Sequence, residues 1–211
     1  MKRSTKNDDL GFIHNYIPAQ NSDGKVLLLL HGTGGNEDDL LTIAQMIDER
    51  ATILAPRGKV LESGMPRFFK RFAEGVFDLE DLKFRTSELA DFIMKASEKY
   101  AFDLRSVVTV GYSNGANIGA SLLLLRPESM KSAILLRAMI SLVPDELPDL
   151  SGKRVFMSGG RFDSFIPQNK TIELKQTLEK AGAEVKMNWE ESAHALVQEE
   201  IMKAKGWLRS S

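Results

Sequence analysis

The sequence predicts an α/β fold, with a mostly parallel central sheet and helices on both faces, and three observations carry that expectation. Short continuous apolar runs recur at 25–30, 51–55 and 132–136, as strands covered on both faces require. Helix-period segments alternate with them, which implies crossover units and parallel pairing. The stretch from Val107 to Gly115 runs from β-branched residues through Gly111-Tyr112-Ser113-Asn114-Gly115 into the apolar segment 118–125. That is a strand turning sharply into a helix, with glycines on either side of the apex.

Taken in order, residues 1–11 are polar and expected to fray. Residues 12–17 read as a short strand, ended by Pro18 and the turn-rich Asn21-Ser22-Asp23-Gly24. The run 25–30 leads into His31-Gly32-Thr33-Gly34-Gly35-Asn36. A helix is expected from there to about residue 47, with Glu37, Asp38 and Asp39 favouring the positive end of its dipole. Strand 51–55 is stopped by Pro56. The segment 57–78 reads as a long irregular loop, rich in glycine and carrying Phe68, Phe69, Phe72 and Phe77. An amphipathic helix follows over 79–100, with Leu82, Leu89, Phe92, Ile93 and Ala96 on one face. After the elbow helix come strand 132–136, a loop over 143–148, strand 154–158, a loop over 159–167, and a helix over 168–181. Strand 185–189 and a helix over 195–209 complete the chain.

No inserted cap domain is available, because the connections are short except for 57–78. The whole of 1–211 therefore reads as one domain. With 211 residues, 43% hydrophobic and 27% charged, the composition is that of a soluble globular chain. A net charge of −1 gives no electrostatic case for nucleic acid or a membrane surface as partner. The basic start lacks a following apolar region and is not a signal peptide, and no apolar run could span a bilayer. There are no cysteines, which excludes disulfides and thiol catalysis and suits the cytoplasm. His14, His31 and His194 are far apart, so neither a metal nor any other cofactor is expected.

Ligands of parallel sheets bind beyond the carboxyl ends of the strands, so the post-strand loops carry the chemistry. A serine at the apex of such a turn is a weak nucleophile that needs a base, itself oriented by an acid. His194, between the last strand and the last helix, is the candidate base, and the order Ser, Asp, His fits this kind of sheet. His31 reads as a prop for its glycine loop, and His14 as packing or solvent-facing. Asp163, in the loop 159–167, is the leading acid, with Asp145 and Asp149 one strand earlier as alternatives. The developing oxyanion needs two donors. The Asn114 N–H supplies one, and the glycine loop supplies the other, best at the Thr33 N–H. That loop lacks the register of a nucleotide-binding loop. Phe68, Phe69 and Phe72 fit either a core beneath the loop or the wall of an acyl pocket.

These stretches resemble the phospholipase/carboxylesterase family of α/β-hydrolases, which includes acyl-protein thioesterases, and within it bacterial carboxylesterases associated with methylhydroquinone resistance. The matching segments are Leu29-Leu30-His31-Gly32-Thr33-Gly34-Gly35-Asn36, Gly64-Met65-Pro66-Arg67-Phe68-Phe69, Gly111-Tyr112-Ser113-Asn114-Gly115-Ala116-Asn117, Gly160-Arg161-Phe162-Asp163-Ser164-Phe165-Ile166-Pro167 and His194. The resemblance implies the α/β-hydrolase fold and a triad of Ser113, Asp163 and His194. It also implies an oxyanion hole from Thr33 and Asn114, and Phe68 and Phe69 lining the substrate pocket. A small-molecule ester substrate and a homodimer are implied as well. The chain departs from the family's usual residues in having Asn114 rather than Gln after the serine, and Ala193 rather than Gly before the histidine. The expected activity is that of a serine carboxylesterase acting on small to medium esters.

Overall fold

In a computed structural model the described residues are 5–20 and 24–210. An eight-stranded sheet organises them, and its strands in chain order are β1 (Thr5–Asn7), β2 (His14–Ile17), β3 (Val26–Leu30), β4 (Thr52–Pro56), β9 (Val107–Tyr112), β10 (Ser132–Leu136), β11 (Arg154–Gly160) and β12 (Glu184–Glu190). Between β4 and β9 lie four very short strands, β5 (Val60–Glu62), β6 (Met65–Arg67), β7 (Arg71–Ala73) and β8 (Val76–Phe77). The helices are α1 (Leu41–Ile47), α2 (Leu79–Tyr100), α3 (Asn114–Leu125), α4 (Gln168–Lys180) and α5 (Gln198–Arg209). Sheet order is β1-β2-β4-β3-β9-β10-β11-β12. In that order every pair from β4 through β12 is parallel, whereas β1 with β2 and β2 with β4 pair antiparallel.

The continuous apolar runs are explained by two cores, one on each face. Along β3, Val26, Leu28 and Leu30 face the core built with α2, α3 and α4, whereas Leu27 and Leu29 face the one built with α1 and α5. The alternation repeats in β10, where Ala133 and Leu135 point one way and Ile134 and Leu136 the other. Helix α2 keeps the predicted bounds: Asp78 caps it by accepting from the Asp81 N–H, and Ala101 ends it in the left-handed conformation. Helix α3 is buried along almost its whole length, which its run of small and aliphatic residues permits.

Several expectations are corrected. Within the polar opening segment, residues 5–7 form β1, which pairs with β2 through the register Thr5–Tyr16, Lys6–Asn15 and Asn7–His14. Residues 1–4 and the turn-rich Asn21-Ser22-Asp23 lie outside the described residues. The first helix begins at Leu41 rather than Glu37 and has no acidic residue in its first turn. Glu37 is instead a buried carboxylate that accepts a two-pronged bond from Arg57, at 2.6 and 2.9 Å. The segment 57–78 is not irregular but holds two miniature hairpins, β5–β6 and β7–β8. Their strands are too short for alternation to be legible. The last helix starts at Gln198, leaving 191–197 as an extended loop. His14 is wholly buried, its Nδ1–H donating to the Phe12 carbonyl at 2.8 Å and its Nε2 accepting from the Tyr100 hydroxyl at 2.8 Å.

Candidate active site

The parallel strands bring the loops after β3, β9, β11 and β12 to one edge of the sheet. Ser113 sits at the turn from β9 into α3, with φ of 53° and ψ of −117°. Such a conformation is costly for a residue with a Cβ and persists only where its surroundings over-determine it. Here the neighbouring strands do so. The Ser113 N–H donates to the Leu136 carbonyl at 2.9 Å, and its own carbonyl accepts from Asn117 at 2.9 Å. A Cβ on Gly115 would lie 2.0 Å from the Leu30 carbonyl oxygen, so only glycine lets the first turn of α3 press against β3.

The Ser113 Oγ lies 3.0 Å from His194 Nε2, and His194 Nδ1 lies 2.8 Å from Asp163 Oδ2. Asp163 is 50 residues past Ser113 in sequence and reaches the same point because β11 is two strands from β9. Its carboxylate is 1% exposed. Oδ1 accepts from the N–H groups of Phe165 and Ile166, at 2.9 and 3.0 Å, which leaves Oδ2 for the imidazole. Asp149, in contrast, only closes a turn onto the Ser151 N–H.

The imidazole of His194 is flanked by aromatic rings. Tyr112 lies 5.4 Å away centroid to centroid, and Phe165 meets it edge-on at 5.2 Å. The Tyr112 hydroxyl donates to the His194 carbonyl at 3.2 Å. Burial pushes the Tyr112 phenol above its ordinary value, so it remains a donor.

Beside Ser113 and His194 opens a cleft of about 380 Å³ that Thr33 and Asn114 also line. The Thr33 N–H has no hydrogen-bond partner among the described residues. Asn114 is the first residue of α3, where the backbone N–H has no preceding turn to bond to. The loop carrying Thr33 is fixed from three sides. Gly34 N–H donates to the Pro66 carbonyl at 2.9 Å, and Arg67 Nη1 donates to Thr33 Oγ1 at 3.1 Å. His31 acts as the expected prop, its Nδ1 bonding the Gly32 carbonyl at 2.6 Å and its Nε2 accepting from the Gly58 N–H at 2.9 Å. Burial holds the His31 imidazole below its ordinary value, opposed by the Gly32 carbonyl bond and by Asp39 and Glu37.

Phe68 and Phe69 are not on the wall of this cleft. Their exposures are 2% and 0%, and they pack into the core, Phe68 against His31 at 4.7 Å and Phe69 against Phe77 at 5.3 Å. The reason is the β5–β6 hairpin, which turns residue 65 toward the cleft and carries the chain inward from Arg67. The Phe68 N–H is taken by Asn114 Oδ1 at 2.8 Å, which ties this segment to the elbow. Phe72 is 75% exposed and lies outside the cleft. The apolar lining comes from Met65, Phe77, Met139, Phe165 and Ile166. Sequence reasoning missed these residues. Phe165 carried a readable signal, since it sits two positions from Asp163 in a post-strand loop.

A model of the phospholipase/carboxylesterase family matches residues 14–211. The chain belongs to this family. It is 46% identical over 196 residues to "Putative hydrolase MhqD" of Bacillus subtilis (strain 168), spanning 93% of this chain and 98% of that protein. Among solved structures, a Bacillus cereus carboxylesterase is 47% identical with a TM-score of 0.92, covering 94% of each chain. A carboxylesterase from Mesorhizobium loti is 30% identical with a TM-score of 0.92, covering 100% of both. The fold is the α/β-hydrolase fold, as the resemblance implied. The family relationship makes this an esterase-type hydrolase, and no described helix is long and apolar enough to cross a membrane.

Proposed function

We propose that the chain is a serine carboxylesterase in which Ser113, His194 and Asp163 form the catalytic triad. The observation that carries this reading is the pair of contacts made by His194, 3.0 Å to the serine hydroxyl and 2.8 Å to a buried carboxylate. An ester carbonyl enters the cleft against Ser113. His194 Nε2 takes the hydroxyl proton as Oγ attacks, and Asp163 holds the other nitrogen as the donor and faces the imidazolium. The negative oxygen of the tetrahedral intermediate lies against the backbone N–H groups of Thr33 and Asn114, neither of which has a partner among the described residues. The imidazolium then gives its proton to the leaving alcohol. Water, deprotonated by the same His194, cleaves the acyl-enzyme and returns Ser113 Oγ–H.

The lining supports small to medium esters. A second groove of about 650 Å³ shares Glu74, Phe77, Met139 and Phe165 with the cleft, so an acyl chain of a few carbons has an apolar path outward. A thioester or lysophospholipid would meet the same triad and the same lining.

The test is hydrolysis of p-nitrophenyl acetate, butyrate and octanoate by wild type and Ser113→Ala, with fluorophosphonate labelling alongside. The variant is expected to retain less than about one-thousandth of the wild-type rate and no label. Equal rates in both proteins would overturn the serine mechanism. Unlabelled, inactive wild type would mark a catalytically silent hydrolase fold.

A further inference from the structure

We propose that Arg137 is a positioning residue that holds the histidine of the triad in line with Ser113 and Asp163; the inference rests on the triad reading above. Arg137 follows β10 directly, with φ of 57° and no solvent exposure, the largest fully buried side chain among the described residues. A buried guanidinium on a left-handed backbone is unfavourable on both counts, so its surroundings must hold it there.

Those surroundings converge on the loop of His194. Arg137 Nε donates to the Ala193 carbonyl at 3.2 Å, and Nη2 donates to the Ala195 carbonyl at 2.9 Å and to Ser192 Oγ at 3.0 Å. The carbonyls on both sides of His194 are therefore held by one planar cation, and the His194 carbonyl itself accepts from Tyr112. The remaining face of the fork meets Glu200, with Nη1 to Oε2 at 2.6 Å and Nη2 to Oε1 at 2.8 Å. Glu200 is also wholly buried, and its Oε1 accepts from the Val197 N–H at 2.8 Å, fixing the point where the loop enters α5. On the other side, Arg137 Nε lies 4.0 Å from Asp163 Oδ2, the oxygen that faces His194.

The loop has little else to shape it. Residues 191–197 form neither helix nor strand, and the loop's carbonyls near the imidazole are taken by Arg137, by Tyr112 and, at Ser192, by the Phe162 N–H at 3.0 Å. Gly160 admits the loop at this point, since a Cβ there would lie 2.4 Å from the Ala193 carbonyl oxygen. A planar fork with five donors can span both carbonyls and the carboxylate, which a lysine ammonium cannot. The imidazole has to meet hydroxyl and carboxylate together, and a displacement on the order of 1 Å costs about a hundredfold in rate.

The experiment compares Arg137→Lys and the double variant Arg137→Met/Glu200→Leu with wild type, with Ser113→Ala as a control. The double variant leaves neither charge unpaired, which protects its fold. Circular dichroism and thermal melts establish folding, and kcat and KM are measured on p-nitrophenyl butyrate together with the rate of fluorophosphonate labelling. In both folded variants kcat and the labelling rate should fall together by about ten- to a hundredfold, with KM within about twofold. A residue that only fills the core would lower the melting temperature and leave kcat of the folded protein unchanged. Wild-type kcat in either folded variant overturns the proposal. So does failure of both variants to fold, which would make the pair a requirement of the fold and not of the histidine. Activity surviving in Ser113→Ala would instead overturn the triad, independently of the result at Arg137.

Discussion

The Nε2 of His31 accepts the Gly58 N–H at 2.9 Å, joining the glycine loop after β3 to the start of the segment that walls the cleft. Only the neutral imidazole can accept that bond, and burial lowers the His31 pKa from 6.5. A histidine whose folded pKa is depressed binds fewer protons in the native than in the unfolded state between the two values. Its contribution to stability is complete above about pH 6.5 and is lost as pH falls from there toward the folded value. Thermal melts of wild type and His31→Gln between pH 8 and pH 5 should show this. The variant should melt lower at pH 8 and lose less on acidification, and parallel profiles would count against the account.

Gly115 is expected to tolerate no side chain. Its Cβ would lie 2.0 Å from the Leu30 carbonyl oxygen and 2.5 Å from that of His31, both backbone atoms of the sheet edge. Gly115→Ala must move α3 away from β3, at a cost of about 3 kcal/mol or more. At about 2–4 °C per kcal/mol for a chain of this size, the melting temperature should fall by roughly 6–12 °C. A variant melting within a degree of wild type would refute the close packing of α3 on β3.

Phe165 and Phe68 separate pocket from packing. Phe165 is 51% exposed and lines the cleft, so Phe165→Ala should leave stability within about 1 kcal/mol of wild type. It should raise KM for octanoate more than for acetate. Phe68→Ala removes a fully buried ring and should cost about 3–5 kcal/mol while keeping the acyl-chain profile of wild type. The two readouts, melting and chain-length preference, should therefore move in opposite variants.

Asp163→Asn tests the orienting role of the carboxylate. An amide in that place can present a donor to Nδ1 and favour the wrong tautomer, so Nε2 would no longer accept the serine proton. We expect kcat to fall by about 10³–10⁴-fold with a smaller change in KM. The pair of bonds from Phe165 and Ile166 to Oδ1 should survive, keeping the loop in place. A loss below about tenfold would point to another acid.

What the sequence revealed and what it hid follow from the range of the interactions. The sheet was legible because the runs at β3, β4 and β10 are apolar on both faces, and that composition needs no partner to be recognised. Ser113, Asp163 and His194 could be brought together on paper because parallel strands deliver their following loops to one edge. Arg137 could not. It follows an apolar strand with no local signal, and its partners lie between 55 and 63 residues further along the chain. Glu37 misled for a related reason: three acids before a helical segment look like a favourable first turn, while its real partner is Arg57, 20 residues away. Phe68 and Phe69 were ambiguous because they lie in a bend just past the three-residue strand β6, where no periodicity shows which way a side chain points.

The hairpin segment 57–78 touches the serine edge of the sheet through a handful of backbone stitches, among them Gly34 to Pro66, Gly58 to His31 and Phe68 to Asn114. Its outer half is held mainly to itself, through Arg71 with Glu62 and Glu74. Met65, which is 43% exposed, can thus change without disturbing the strands that carry the loops of Ser113, Asp163 and His194, whereas Phe77 also packs on the buried Phe69. Substitutions confined to this insert could therefore reshape one wall of the cleft while the elbow and the loops after β11 and β12 keep their places.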